Sequence, residues 1–202
     1  MTYLPRLAVI TPPAVEPVVY TEAKTHMRVT GTSEDAYITI LCGVARRYLE
    51  EIQNRSYITQ TLELTLDAFP DADYIRLPRA PLASVTSVKY TPDSTGVAVT
   101  LSSGEYYADT KSIPGQIVLR SDGEWPSDTL ITVGGVVIQY VAGYGAASTS
   151  VPSTILHALK FLIAHWFENR ESMGATISGA PLSALPVGLQ SLIMIDRVVE
   201  FP

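Results

Sequence analysis

The chain has 202 residues, the size of one domain or of one domain carrying a large insertion, and is long enough to bury a substantial core. Hydrophobic residues make up 47% and charged residues only 17%, a lean charge content that leaves apolar surface for a partner. Its 14 Lys and Arg against 20 Asp and Glu give a formal net charge of −6, which speaks against sequence-specific nucleic-acid binding, because such binders carry a basic excess.

Residues 1–20 contain Pro5, Pro12, Pro13 and Pro17, lack the continuous apolar run of a signal peptide, and read as an extended arm. Such an arm suits pairing with a sheet edge or a neighbouring subunit. Thr21 is placed to cap a short helix over 22–28, with Glu22 in its first turn and Gly31 interrupting it. A Thr32-x-x-Asp35 start then opens a longer helix, whose apolar residues Ala36, Tyr37, Ile40, Leu41, Val44, Ala45, Tyr48 and Ile52 recur at steps of three and four. Residues 21–56 are thus the first helical part. Cys42, the only cysteine, lies within this pattern and reads as a small buried thiol, and a single cysteine permits no internal disulfide.

From Tyr57 the period changes to two, Leu62, Leu64 and Leu66 alternating with Thr61, Glu63 and Thr65. Short β runs follow at 74–77, 85–90, 97–101, 106–109, 116–120, 130–133 and 136–141, punctuated by Pro and Gly. Residues 57–146 are therefore expected to form an antiparallel β-rich insertion, a small sandwich or barrel. Val151-Pro152-Ser153 returns the chain to helix, and 155–170 is apolar on most of its circumference, as a helix buried on several sides requires. A polar, Gly-containing loop over 172–184, a short helix over 185–195 and an apolar tail over 198–201 complete a second helical part at 151–202. The expected class is α+β, with helices from both ends of the chain enclosing the β insertion. The longest charge-free apolar stretch of the late helix, 161–164, is far short of the ~20 residues of a membrane span, so no membrane partner is expected.

Reactive chemistry is hard to find. Gly-x-Ser-x-Gly, Gly-x-x-x-x-Gly-Lys and Gly-x-Gly-x-x-Gly are all absent, which leaves no marked nucleophile and no phosphate cradle. His157 and His165 are eight residues apart, about 80° around a helix, and do not form the i, i+4 pair of a metal site. Asp67, Asp71 and Asp73 lack the continuation of a calcium loop and read as a solvated turn. Ser121 to Pro126, with Trp125, allows a sugar-binding loop, against which stands a hairpin tip whose aromatic packs on the sheet. Neither an enzyme nor a cofactor is indicated. Trp166, Phe167 and Arg170, with Glu168 and Glu171, set an aromatic anchor beside charges at a helix end, and are candidates for either core packing or subunit contact.

Several strings occur in a fixed order: Thr21 to Val29 (TEAKTHMRV), Ala45-Arg46-Arg47-Tyr48-Leu49-Glu50, Ile58-Thr59-Gln60-Thr61, Leu77-Pro78-Arg79-Ala80-Pro81-Leu82, Val141-Ala142-Gly143-Tyr144-Gly145, Val151-Pro152 and Ala164 to Glu171. Together they make the chain resemble the gp6-like head-tail connector (adaptor) proteins of tailed bacteriophages and phage-derived gene transfer particles, from about Pro17 to Phe201. The chain departs from the pattern at the end of the long helix, where Gln53-Asn54 precede Arg55 in place of Thr-Gly. The resemblance implies a non-enzymatic building block of the virion or particle neck, assembled in the host cytoplasm. It would form a homo-oligomeric ring of twelve copies between the portal protein and a head-completion, stopper or tail protein. Double-stranded DNA would pass through the ring without sequence-specific binding. On this reading Trp166, Phe167, Arg170, Arg197 and Phe201 are the candidate subunit or portal contacts. The alternatives are another neck or tail-completion protein, and a carbohydrate-binding or hydrolytic β domain.

Overall fold

The computed structural model of the chain describes residues 5–170 and 186–198. The predicted polar loop, Phe201 and the end of the apolar tail lie outside them. Elements run in the order β1 (Arg6–Thr11), α1 (Tyr20–Met27), α2 (Asp35–Gln53), β2 (Gln60–Leu66), β3 (Tyr74–Arg76), β4 (Leu82–Tyr90), β5 (Val99–Thr100), β6 (Tyr106–Asp109), β7 (Gln116–Leu119), β8 (Val136–Ala142), α3 (Ser153–Glu168) and α4 (Val187–Ile195). The fold is α+β: four helices share one apolar core, and two antiparallel sheets share another.

The larger sheet has the strand order β1-β2-β8-β4-β5 and the smaller β3-β7-β6. Leu62 and Leu64 of β2 lie opposite Tyr140 and Ile138 of β8, and Val88 of β4 lies opposite Ile138 on its other side. This face meets Ile75, Tyr106 and Ile117 of the smaller sheet in a common core, so the insertion is a sandwich; no closed barrel forms among the described residues. Residues 130–133 are not a strand. Leu130 makes only an isolated bridge to Pro92, carried by the flanking bonds from Ile131 N–H to Thr91 C=O and from Asp93 N–H to Thr129 C=O, and Val133 is exposed. Part of the predicted arm is β1, which pairs with β2 of its own chain and stands at the sheet edge.

Helix boundaries depart from the sequence expectation in instructive ways. Val19, not Thr21, caps α1, and α1 ends because Arg28 turns left-handed three residues before Gly31. Thr32 accepts a backbone bond from Asp35 in a turn, and Glu34 takes the N-cap of α2 with no side-chain cap bond. At the other end Asn54 adopts φ 51°, with its N–H and that of Arg55 returning to Glu51 and Glu50. Asparagine tolerates this conformation, so Gln53-Asn54 ends the helix just where a Thr-Gly pair would.

The strings that carried the resemblance converge here. Asn54 C=O accepts from Ala80 N–H, Ala80 C=O from Ser56 N–H, and the Asn54 side chain from Arg79 N–H. Gly143 donates to Pro81 and presses against Ile58, where a Cβ would come within 2.7 Å of backbone atoms, and its φ of 132° also favours glycine. Beneath this junction Glu50 is buried. Its Oε1 accepts from Tyr57 N–H at 2.8 Å and Gln60 Nε2 at 3.1 Å, and its Oε2 from Arg46 at 2.8 Å. Burial pushes the Glu50 carboxyl above the ordinary carboxylate range, while the Tyr57 N–H and Arg46 pull the other way.

Glu50→Ala leaves the Tyr57 N–H and Gln60 amide without their acceptor and should cost about 3 kcal/mol. Glu51→Ala, at a far more exposed carboxylate, should cost under ~1 kcal/mol in the same urea titration. A pH effect belongs to Asp109, which accepts from the Ser112 hydroxyl at 2.5 Å and from the Lys111 and Ser112 N–H groups at 3.0 and 3.2 Å. These donors, the hydroxyl foremost, hold its pKa down at about 2 from an ordinary 3.8. A depressed folded value stabilises above the unfolded pKa, and the contribution fades as pH falls from 3.8 through about 2. Urea midpoints stepped over that window should decline less steeply in Asp109→Asn than in the parent.

Candidate assembly surface

Helices α2 and α3 pack antiparallel, and the end of α3 brings the predicted aromatic anchor against the start and middle of α2. The Trp166 ring meets Tyr48 edge-on at 5.4 Å between centroids, and Phe167 lies 6.2 Å from Tyr37. Arg170 sits 4.4 Å above the Tyr37 ring and 4.5 Å above Phe167, and bonds Glu34 at 2.6 Å. Trp166 and Phe167 are half-buried, so each packs within the chain and also shows one flank at the surface. Arg197 stands apart, exposed beyond α4, its guanidinium 3.9 Å from Met194 Sδ. The structure therefore gathers Trp166, Phe167 and Arg170 and separates them from Arg197; Phe201 is outside the described residues.

The core face of α2 is Ile38, Leu41, Cys42, Ala45 and Leu49, with Gln53 at its end. Of the apolar residues that mark the helix period, Ile40 is 63% exposed, Val44 48% and Tyr48 39%. They stand four apart, so they form one stripe along the helix, which adjoins Trp166 and carries Arg47 and Glu51 at its far end. Both the inner and outer faces of α2 are apolar, and periodicity alone could not tell which faces the core. Beyond Arg47 and Glu51 the surface dips into a groove of about 570 Å³, floored by Leu7, Val9 and Leu62 and rimmed by Arg46 and Arg79. In register, Leu7 and Val9 lie opposite Leu64 and Leu62, so β1 continues the sandwich's inner face out into the open.

Helix α4 presents a third exposed apolar set. Leu189 and Ile193 enter the helical core while Val187, Met194 and Ile195 are 79%, 57% and 66% exposed. Its end is tied down by Gln53 Nε2, which donates to Ile193 C=O at 2.9 Å, and by Thr154, which donates to Asp196 at 2.8 Å. The charge of the sandwich is lopsided: ten acids against five bases occupy 58–150. Asp71, Asp73, Asp93, Asp122, Glu124 and Asp128 are all exposed in loops that the strand directions bring to one end.

Chemistry on small molecules has little to work with. Among the described residues no group of three His, Cys, Asp or Glu could hold a metal, and no helix is long and apolar enough to cross a membrane. Burial, with Glu16 nearby, pushes the Cys42 thiol up to about 11, far from a reactive thiolate. Asp67 accepts from Gly134 N–H and Arg6 and so anchors a turn. One face of Trp125 stacks on Phe69 at 4.9 Å and its N–H donates to Ala72 C=O, so the ring is packed on the sandwich instead of offered to a sugar.

A helical bundle joined to a two-sheet sandwich is the architecture of chains in gene transfer agent particles. A chain in the virion of a native gene transfer agent (GTA) particle is 25% identical over 97% of each chain, with a TM-score of 0.78. Chains in the neck of an empty GTA particle computed with C6 symmetry and in the neck of a native GTA particle computed with C12 symmetry are each 24% identical, over 98% of this chain and 97% of theirs, with TM-scores of 0.78 and 0.77. No protein-family model matches the chain, and no curated protein matches it.

Substitutions separate packing from surface. Phe167→Ala should lower stability by about 1–3 kcal/mol through lost α2–α3 packing. Ile40→Ser, on the uncovered stripe, should stay within ~0.5 kcal/mol of the parent in urea unfolding of the free chain.

Proposed function

We propose that this chain is a structural neck protein of a phage-derived particle, a head-tail connector that works as a ring of identical copies. The observation that carries the reading is the fold shared over 97% of the chain with a GTA virion component at 25% identity. Two neck structures carrying the same fold were computed with C6 and C12 symmetry, which supports a ring of twelve copies. The surface described above suits that work: apolar stripes at the helices, no metal cluster among the described residues and a buried, unreactive thiol. Shape and self-association perform the function, without catalysis.

On this reading the ring docks beneath the portal protein and hands over to a head-completion, stopper or tail protein, in the particle neck. Packaged double-stranded DNA crosses its channel. A basic lining would grip phosphates by releasing counterions, whereas exposed carboxylates repel them and let the duplex slide. The acidic loops of the sandwich supply such a lining if they face the axis. Trp166, Phe167 and Arg170 combine a packing role with a rim contact to a neighbouring copy or the portal.

Purified chain mixed with the portal of the same particle should give closed rings in negative-stain images, with a mass near twelve copies. A chain that stays monomeric in both the presence and the absence of portal would overturn the reading. In a filter-retention assay at moderate salt the assembled ring should hold duplex DNA no better than an uncharged protein control.

A further inference from the structure

The contact that joins one copy to the next is written on two helices of this chain. Residues Val44 and Gln53 are nine apart on α2, about 180° around the helix, and Gln53 is the residue that holds α4. The Ile40–Val44–Tyr48 stripe and the outer face of α4 therefore lie on opposite sides of the bundle, and no single chain can bring them together. A closed ring needs two such different faces on each copy.

The directions also agree. The end of α3 meets the start of α2 through Glu34–Arg170, and the start of α3 meets the end of α4 through Thr154–Asp196. Both α2 and α4 thus run opposite to α3 and in the same sense as each other. Their ends are level, because Val198 N–H donates to Gln53 C=O and Arg55 donates to Asp196 C=O. Rotation by one step of a twelve-fold ring, about 30°, carries α4 to the neighbour almost parallel to α2, and at the same height where the helices run along the ring axis.

Length and charge match as well. Ile40 to Glu51 spans about 17 Å and Val187 to Arg197 about 15 Å at 1.5 Å per residue. Each face shows three large exposed apolar side chains, with Ser191 between Val187 and Met194 on α4, and each carries one acid and one base, Arg47 and Glu51 on α2 against Asp196 and Arg197 after α4. Arg47 is exposed, and among the described residues no ion pair engages it. Set side by side in parallel with their ends level, the two faces bring Glu51 toward Arg197, while Arg47 stands about 9 Å below Gln53, beside the middle of α4. We propose that the α2 stripe Ile40–Val44–Tyr48 of one copy receives the α4 face Val187–Met194–Ile195 of the next, with Glu51 answering Arg197. The inference rests on the ring reading above and names the surface that builds it.

Cysteine trapping tests it. Val44→Cys is combined in turn with Val187→Cys and with Ser191→Cys in the full chain, and oxidised with copper phenanthroline, alone and in mixture with portal. Cys42 is a quiet background, buried with its pKa up to about 11. A ladder of disulfide-linked multimers on a non-reducing gel, with each single variant giving dimers at most, is the expected result. If both double variants stay monomeric while the parent forms rings, this surface is wrong and the ring reading survives. If the parent forms no rings and the double variants no ladder, both fall.

Discussion

One buried carboxylate holds the two halves of the molecule in register. Glu50 sits at the end of a helix and satisfies the first N–H of the segment that leads into the sandwich, an amide from β2 and the guanidinium of Arg46. Removing any one donor leaves the charge less compensated in a place where water cannot replace it. The segment from Tyr57 to the start of β2 is held to α2 at this point. A rigid junction matters for an assembling protein, since an error of a few degrees between halves would multiply around a closed ring.

Much of this was legible from residue order. Alternation at Leu62, Leu64 and Leu66 gave β2 its inner face, and the apolar circumference of α3 announced a helix buried on several sides, with Ile155, Ala158, Leu159, Leu162 and Ile163 all in the core. The outer stripe of α2 could not be told from its core face, because Ile40, Val44 and Tyr48 are as apolar as the residues beneath them. An exposed apolar stripe is written in the same alphabet as a core. The run at 130–133 looked like a strand, since an apolar run does not reveal that its pairing stops at a single bridge. Trp166, Phe167 and Arg170 were picked out by residue type and do meet in space, but their closest partners, Tyr37 and Tyr48, come from a helix more than a hundred residues earlier.

Low charge content and marginal apolar exposure usually trade solubility against association. Here the two are divided by region. The helical parts carry near-balanced charge and the uncovered apolar stripes, while the sandwich holds the acidic excess and has most of its large apolar side chains inside. Repulsion among the acidic loops opposes random aggregation through the sandwich without touching the helical faces.

The open flank of β1 has a consequence of its own. An unpaired strand edge invites any extended chain to add on, and continued addition leads to fibres. This edge is short, preceded by Pro5 and followed by Pro12 and Pro13, and its register slips between Val9 and Thr11. The missing amide hydrogens and the kink cap the length of any ladder that can form along it. The edge is thereby a poor template for open-ended growth through this flank.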